Sequence, residues 1–218
     1  MFHHYIITRF SVLDKNSNIN PYFTRKNKNI KSFLFNEKRL HEKFLRFKLI
    51  TYPSIIQQTS KHYTWLIYSS SSLPEKYKQQ LLAMKNPRIK IIFVDNFKEM
   101  EDDIQTHLKG EFSTTRLDDD DGIHPDFLKQ IAKYKDKTGA VISMPNGTRV
   151  KIHKGRVIPN ANIHYKRIAT GMTGIGFNIY TAGNHLHVHK KRKVIYDMME
   201  HGYIVYCSEY AGNSRRSC

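Results

Sequence analysis

The first 120 residues alternate short apolar runs with segments whose apolar residues recur every three or four positions. Such runs are typical of buried strands, and such spacing is typical of amphipathic helices. Leu40, Phe44 and Phe47 recur in this way ahead of Pro53. The predicted strands are residues 4–10, 64–68, 89–94 and 112–117, and the predicted helices are residues 39–58 (ending near Pro53), 73–84 and 97–108. This alternation predicts an α/β fold with a mostly parallel, doubly wound central sheet flanked by helices.

The pattern after residue 122 is less regular and contains no internal repeat. The predicted strands there are residues 140–144, 149–153, 156–159, 176–181 and 203–206, and the predicted helices are residues 125–134 and 190–201. Residues 11–29 are rich in Asn, Lys and Ser, which favours a long loop. With 218 residues, we expect a single domain over residues 1–210, with halves of about 1–122 and 123–210, and a flexible tail over residues 211–218.

The charge of the chain is strongly positive, with 36 Lys and Arg against 19 Asp and Glu and a formal net charge of +17. Between Asp136 and Asp197 there is no acidic residue, whereas eleven Lys and Arg and five His fall in that stretch. This asymmetry predicts an anionic partner, such as a phosphorylated small molecule, a nucleic acid or a membrane surface.

The chain has two cysteines, too few for a disulfide framework, and neither a signal peptide nor a membrane-spanning run is evident. We expect a cytoplasmic protein, with peripheral contact to an anionic membrane as an open alternative.

Four consecutive aspartates, Asp118 to Asp121, follow the fourth predicted strand. Ligands bind beyond the carboxyl ends of the strands in such sheets, and the run lies at one of those ends. Adjacent carboxylates repel one another unless a cation neutralises them, and Mn²⁺ and Mg²⁺ are hard ions that accept carboxylate oxygens. Asp118 and Asp120 alternate along the run and are therefore expected to face one side. A solvated loop, or a helix cap formed by Asp121, remains an alternative.

The residues around this run resemble the GT-A class of glycosyltransferases, in which an Asp-x-Asp motif ends a strand and holds the metal of the nucleotide-sugar diphosphate. More narrowly, the chain is similar to a rhamnosyltransferase family and to a viral capsid-glycosylating domain. The similarity covers roughly residues 4–135 and thins beyond them to residues 184–189. The matching segments are residues 7–10, 46–59, 63–66 and 115–124. The resemblance implies a GT-A (Rossmann-like) fold whose first half binds the nucleotide-sugar and whose second half binds the acceptor.

The resemblance also implies roles for individual residues. Thr8, Arg9 and Phe10 would line the base and ribose pocket at the end of the first strand. The implied nucleotide-sugar-binding residues are Thr8, Arg9, Phe10, Arg116, Asp118 and Asp119. The implied ligands of Mn²⁺ or Mg²⁺ are Asp118 and Asp120, with His187 or His189 added from the second half. On a strand, His185, His187 and His189 would share one face, which permits ligation.

The predicted function is metal-dependent transfer of a hexose or deoxyhexose from a nucleotide-sugar to a hydroxyl acceptor, such as a glycan or a lipid-linked glycan. An inverting transferase needs a base to deprotonate the acceptor hydroxyl, but residues 137–196 contain no Asp or Glu. The remaining candidates are Asp197, Glu209 and His185, and a retaining mechanism would remove the need for such a base. We also expect the glycine-rich residues 171–176 to form either an ordinary turn or a flexible lid over the donor.

Three other functions remain open from the sequence. The positive charge favours a nucleic-acid-binding protein, but no helix-turn-helix, zinc-finger or RNA-recognition signature is present, and four aspartates would repel phosphates unless they bind a metal. A metal-dependent nuclease would use clustered carboxylates, yet it needs further acidic ligands that the second half lacks. A non-catalytic glycosyltransferase-like domain that binds sugars or partners is compatible with the absence of an identifiable base.

Overall fold

The structure is a computed structural model that describes residues 1–13, 30–84, 86–166 and 168–206. Its strands are β1 (His3–Phe10), β2 (Tyr63–Ser70), β3 (Ile89–Val94), β4 (Phe112–Arg116), β5 (Asp121–Ile123), β6 (Val141–Ser143), β7 (Asn146–His153), β8 (Arg156–His164), β9 (Thr173–Ile175), β10 (Val194–Tyr196) and β11 (Tyr203–Tyr206). Its α-helices are α1 (Ile30–Leu34), α2 (Glu37–Arg46), α3 (Tyr52–Ile56), α4 (Glu75–Leu82), α5 (Phe97–His107) and α6 (Phe127–Ile131). Single turns of 3₁₀-helix lie at Ala132–Tyr134, Ile179–Ala182 and Val188–Lys190.

The strands form two sheets, and the larger has seven strands in the order β10-β6-β9-β4-β1-β2-β3. Strand β1 pairs in parallel with β2 and β4, and only β9 runs antiparallel to its neighbours. The carboxyl ends of β1 and β4 therefore meet at one edge of the sheet. This mixed α/β architecture, with a mostly parallel central sheet flanked by helices, confirms the fold class expected from the alternating pattern.

Alternate side chains of β1 enter different cores, as the two-residue period of a strand requires. Ile6 and Phe10 pack with α2, α4 and α6 on one face of the sheet. Tyr5 and Ile7 pack with α5 on the other face. At the carboxyl ends of the parallel strands, β4 is followed closely by the aspartate run.

The long helix predicted before Pro53 does not end there. Helix α2 continues through a turn of π-helix, Phe47–Thr51, into α3, which carries Pro53 in its first turn. In the π-turn the N–H of Tyr52 donates to the carbonyl of Phe47, five residues back. Because the helix is continuous, Pro53 removes one intrahelical N–H donor, and the π-turn that shifts the hydrogen-bond pattern lies directly before it.

The smaller sheet has four strands in the order β5-β11-β7-β8. It joins a strand directly after the aspartate run to strands from the last third of the chain. The predicted strands at residues 140–144, 149–153, 156–159 and 203–206 are confirmed as β6, β7, β8 and β11, although β8 is longer than expected. The local sequence pattern could not predict which strands pair, because β5 and β11 are far apart in sequence.

Two predictions in the last third are wrong. Residues 176–181 do not form a strand, because the chain turns at Gly176 (φ +74°) and then forms the 3₁₀ turn Ile179–Ala182. Residues 190–201 do not form a helix. Their β-branched and aromatic centre, Val194–Tyr196, pairs in parallel with β6 as β10.

Most of the predicted loop at residues 11–29, and the predicted tail at residues 211–218, lie outside the described residues. Within the described ranges, the longest helices fall well short of the apolar length needed to cross a bilayer.

Candidate active site

The aspartate run forms a tight turn at the carboxyl edge of the large sheet. Strand β4 ends at Arg116, and the N–H of Asp121 donates to the carbonyl of Asp118 at 3.2 Å. The side chains of Asp118 and Asp120 are 30% and 32% exposed, whereas Asp119 and Asp121 are buried. Two carboxylates of this aspartate turn (residues 118–121) therefore face outward, and two anchor the turn to the interior.

Each of the four carboxylates has a partner of its own. Nζ of Lys43 lies 2.5 Å from Oδ2 of Asp119, and Nε of Arg46 lies 4.0 Å from Oδ2 of Asp120. Nη2 of Arg116 lies 3.4 Å from Oδ1 of Asp118. Buried Asp121 accepts a hydrogen bond from the hydroxyl of Thr170. The repulsion expected among adjacent aspartates is thus offset in pairs by side chains of the chain itself.

The cations on the inner side of the turn come from one face of α2. Arg39, Lys43 and Arg46 recur at spacings of four and three residues, which places them on one stripe of the helix. Burial raises the pKa of Asp119 to about 6, against the opposing effect of Lys43, and Asp120 raises it further. Burial lowers the pKa of Arg39, while the nearby Asp119 acts in the opposite direction. The basic stripe of α2 (Arg39, Lys43 and Arg46) therefore supplies the positive field in which the turn folds.

The outer side of the turn is bordered by two arginines that lie against one tyrosine. The guanidinium carbons of Arg9 and Arg116 lie 5.2 Å and 5.7 Å from the ring centroid of Tyr180, and Arg9 also lies 5.3 Å from the ring of Phe97. The Asp118 carboxylate raises the pKa of Arg116, and burial raises the pKa of Tyr180 although both arginines oppose the shift. We call Arg9, Arg116 and Tyr180 the arginine cradle. It holds two positive charges against one ring, and that of Arg116 lies beside the outward-facing carboxylate of Asp118.

The structure separates the three residues expected to line the base pocket. The Thr8 hydroxyl is fully buried and accepts a hydrogen bond from Nε1 of Trp65 at 3.0 Å. Phe10 is also fully buried, against Phe44 and Phe47. Their side chains are thus part of the core, and Arg9 is the residue of the three whose side chain reaches the outer site. Donor binding by Thr8 and Phe10 stays a prediction, and it would have to involve their backbone atoms.

A set of uncharged contacts supports the turn from below. Nε2 of the buried Gln58 donates to the carbonyls of Ser54 and His124, and its Oε1 accepts from the N–H of Leu128. Gly122 lies directly against Ser54, where an added Cβ would come within 3.2 Å of the Ser54 side chain. The segment at residues 54–59, which the resemblance singled out, thus contributes by buttressing the turn.

The three histidines predicted on one strand lie instead in a turn. Gly183 has a φ of +80°, and the side chain of Asn184 accepts from the N–H of Leu186, so the chain turns before the 3₁₀ helix Val188–Lys190. His187 and His189 are exposed on either side of buried Val188, and His185 is partly buried. Val188 packs with Met172 and Ile179, close in sequence to the cradle's Tyr180. The prediction that the three histidines share one face of a strand is wrong, and metal ligation by His187 or His189 stays a prediction.

Asp197, one of the three candidate bases, is tied into the structure. Its Oδ2 accepts from Nε2 of Gln130 and from the hydroxyl of Tyr134, both at 2.7 Å, and its Oδ1 accepts from the N–H of Met199. It follows β10, three strands from β4, which corresponds to about 14 Å across the sheet. These contacts favour an anchoring role for Asp197. Glu209 lies outside the described residues.

The glycine-rich residues 171–176 form neither a lid nor a simple turn. They include β9, which is buried between β4 and β6, and the N–H of Arg116 donates to the carbonyl of Met172 at 3.0 Å. A Cβ on Gly174 would lie 2.8 Å from the ring of Phe177, so the glycine is required by close packing. The lid hypothesis is therefore wrong.

The aspartate turn supplies part of the ligand set that Mn²⁺ or Mg²⁺ would need. Asp118 and Asp120 offer hard carboxylate oxygens that are partly exposed. Across the described ranges, no three His, Cys, Asp or Glu side chains converge on one point. Mg²⁺ commonly binds through one or two carboxylates together with substrate phosphates. The turn therefore fits an ion whose remaining ligands come from a diphosphate or water.

The sequence profile of a family described as "Putative rhamnosyl transferase" matches residues 3–201. The chain belongs to this family. The match covers the larger sheet and the smaller sheet except for β11, and it includes the aspartate turn, the basic stripe of α2 and the arginine cradle. Among curated proteins, no sequence matches the chain significantly.

Solved structures of the S. aureus protein TarS have a similar fold. The TarS 1-349 structure superposes with a TM-score of 0.52 at 11% identity, covering 95% of this chain and 61% of that chain. A second structure of the same fragment, in complex with UDP, has a TM-score of 0.51 at 11% identity with the same coverage. The structure of TarS itself has a TM-score of 0.51 at 12% identity, and there the chain covers 37% of the neighbour. The chain thus spans less than two thirds of these neighbours, and the likeness concerns the fold.

Proposed function

We propose that this family member is a metal-dependent glycosyltransferase that moves a hexose or deoxyhexose from a nucleotide-sugar to a hydroxyl group of a glycan. The observation that carries the proposal is the pairing of opposite charges at the carboxyl edge of the sheet. The outward-facing Asp118 lies 3.4 Å from Arg116 of the arginine cradle, and the outward-facing Asp120 lies 4.0 Å from Arg46 of the basic stripe. A site of this kind suits a metal ion and a diphosphate that bind together.

The cradle supplies the part of this site that recognises phosphate. Arginine presents planar groups of N–H donors that match phosphate oxygens, and its charge persists at every physiological pH. Arg9 comes from β1, Arg116 from β4, and both lie against Tyr180. Because both side chains pack against one partly buried ring, they lose little freedom when a diphosphate binds. We infer that they contact the diphosphate of the donor.

The metal would be held by Asp118 and Asp120, and when bound it would neutralise the charge that grows on the departing diphosphate. Arg116 fixes Asp118 through their 3.4 Å contact, and Lys43 fixes the turn through Asp119. Arg9 and Arg116 would stabilise the same developing charge. The residues of this chain thus position the leaving group, whichever residue receives the acceptor proton.

The alternative functions fit the site less well. A two-metal nuclease needs several convergent acidic ligands, whereas two of the four aspartates in the turn point into the interior. A domain that binds a nucleotide-sugar without transfer fits the same donor site, and Asp197 is engaged in hydrogen bonds. Measuring transfer as well as binding separates these two functions.

The test is a thermal-shift series with UDP-, GDP- and dTDP-sugars, each with and without Mn²⁺. UDP-sugars come first because one of the similar TarS structures contains UDP. A ligand that binds the native state raises the melting temperature, and the proposal predicts a Mn²⁺-dependent rise for one nucleotide family. Transfer to hydroxyl acceptors is then measured with that donor. No rise with any nucleotide, together with tight and salt-sensitive DNA binding, would contradict the proposal.

A further inference from the structure

The hairpin formed by β7 and β8 extends beyond the sheet to which it belongs. Strand β11 pairs with β7 over Gly147 to Val150, whereas β7 and β8 continue to pair with each other as far as His153 and Arg156. Among the described residues, the distal segment 151–158 has no other strand partner. Three residues of each strand extend beyond that pairing, which corresponds to a projection of about 10 Å. We call residues 151–158 the hairpin tip.

The turn at the tip has a defined geometry. Lys154 and Gly155 have φ values of +48° and +73°. Positive φ at both central residues is the pattern of a type I′ turn, whose twist matches that of the flanking strands. The tip is therefore a built β-hairpin, and it holds its side chains at fixed positions along a two-residue period.

The tip carries positive charge that the rest of the described chain does not neutralise. Lys151, Lys154 and Arg156 are exposed, and none of the three forms an ion pair with a described residue. His153 is exposed beside them. The whole stretch of residues 137–196 contains no Asp or Glu that could pair with them locally. The tip therefore presents a concentrated positive surface to an external partner.

The uncharged side chains of the tip indicate which partner this is. Ile152, Val157 and Ile158 are only partly buried, and the register places Ile158 opposite Lys151 on one face. Residues 146–164 contain no Phe, Tyr or Trp. Single-stranded nucleic acids are bound through stacking on several aromatic rings, whereas the only ring at the tip is the imidazole of His153. Aliphatic side chains framed by lysine and arginine suit the interface of a lipid bilayer with an anionic surface.

We propose that the hairpin tip docks the protein on an anionic lipid bilayer. Lys151 and Arg156 lie against the headgroups, and Ile158, which shares their face of the hairpin, contacts the boundary with the acyl chains. This docking goes beyond the proposed transfer reaction and does not depend on it. Each Lys or Arg close to an anionic leaflet contributes roughly a fivefold gain in partitioning, so the three exposed cations together contribute about 100-fold.

The test is sedimentation of the full chain with vesicles of phosphatidylcholine alone or mixed with phosphatidylserine. The variant Lys151→Gln/Lys154→Asn/Arg156→Gln removes three positive charges, and Asn-Gly keeps the type I′ turn. The matched control, Lys129→Gln/Lys133→Gln/Lys135→Gln, removes the same charge from three exposed lysines elsewhere. Thermal melting establishes that both variants are folded.

The expected result is binding to the anionic vesicles that weakens with salt and falls about 100-fold in the hairpin variant, while the control keeps its affinity. Ile158→Ser should weaken the binding further in high salt, because it removes an aliphatic contact that salt does not screen. Equal losses in both triple variants would show attraction by net charge alone and would overturn the proposal. So would absent vesicle binding, or hairpin-dependent binding to duplex DNA without vesicle binding.

Discussion

The aspartate turn and the hairpin tip handle charge in opposite ways. In the turn, each of four acidic side chains has a partner on another element, and the ion pair between Lys43 and Asp119 is almost fully enclosed. In the tip, three cations lie exposed without an acidic residue nearby in sequence. Enclosed charges need partners because desolvation is costly, whereas exposed charges are solvated by water. The turn is thus built for one fixed geometry, and the tip is available to an external surface.

The same contrast occurs within the turn itself. Asp119 and Asp121 face inward and are fixed, whereas Asp118 and Asp120 are about one third exposed. The inward pair sets the position of the outward pair. Removing an inward contact should therefore reduce stability first, and removing an outward carboxylate should reduce activity first.

The largest expected effect is on activity, from the outward-facing Asp120. Asp120→Ala should lower kcat/KM by roughly 10³-fold, a typical loss when a group that stabilises developing charge is removed. The melting temperature should change little, because the contact with Arg46 is long at 4.0 Å. Transfer rates are measured with and without Mn²⁺.

The control for Asp120 is Asp102→Ala, which removes the same charge from an exposed position on α5. That variant should transfer sugar at the normal rate. Normal transfer by Asp120→Ala would show that the aspartate turn is not the metal site.

The next effect is on stability, from the inward-facing pair. Lys43→Met should lower the free energy of unfolding by about 3 kcal/mol, because it leaves the Asp119 carboxylate enclosed without its partner. Lys48→Met, at an exposed position on the adjacent helical turn, should change it by less than about 0.5 kcal/mol. Urea unfolding measures both. Adding Asp119→Asn to Lys43→Met should recover part of the loss, and a further loss would contradict the pairing.

A buried group without a charged partner should remain neutral, and His4 provides this case. Burial, with smaller effects of His3 and His62, lowers the pKa of His4 to about 4, and its Nδ1 lies 2.7 Å from the hydroxyl of Ser113. In the unfolded chain His4 binds a proton below about pH 6.5, whereas in the folded chain it stays neutral down to about pH 4. The free energy of unfolding should therefore decrease as the pH is lowered, by about 2 kcal/mol between neutral pH and about pH 5.

Unfolding free energies measured across this pH window test the His4 prediction. His4→Gln removes the titrating ring while keeping a polar side chain that can reach Ser113. Its stability should lack this part of the pH dependence, and an identical slope in both proteins would assign the effect to other groups.

The smallest expected effect is that of the tip on the folded protein. Lys151→Gln/Lys154→Asn/Arg156→Gln should change the free energy of unfolding by less than about 0.5 kcal/mol per site, because exposed charges contribute little to stability. The Mn²⁺-dependent thermal shift with the donor should also be retained. A loss of several kcal/mol would show that the tip contributes to the fold, which would remove the contrast with the turn.

The sequence predicted the first half of the fold well because its signals are local. Residues 89–94 were predicted and found as one strand, and the aspartates were placed at the end of β4. The smaller sheet was not predicted, since β5 and β11 are separated by about 80 residues and only tertiary packing joins them. The helix expected at residues 190–201 failed because its centre, Val194–Tyr196, consists of β-forming residues and pairs with β6.

The carboxylates of the candidate site, together with Arg9 and Arg116, were named from the sequence and its resemblance, whereas the basic stripe of α2 and Tyr180 were missed. Tyr180 carries no motif, and nothing local indicates that Arg9 and Arg116 both lie against its ring. Lys43 was detectable in principle, because Arg39, Lys43 and Arg46 form a basic stripe on one helix face. The histidine turn was detectable too, since Gly183-Asn184 is a turn signal that argues against an extended strand.

The most direct test of the donor site is the broadening of amide signals by Mn²⁺ in the presence of the nucleoside diphosphate that stabilises the protein. Paramagnetic broadening falls steeply with distance and therefore locates the bound ion. The account predicts loss of the amide signals of residues 118–122 and retention of those of residues 151–158. Unchanged signals in the aspartate turn, or broadening centred on another part of the chain, would contradict it.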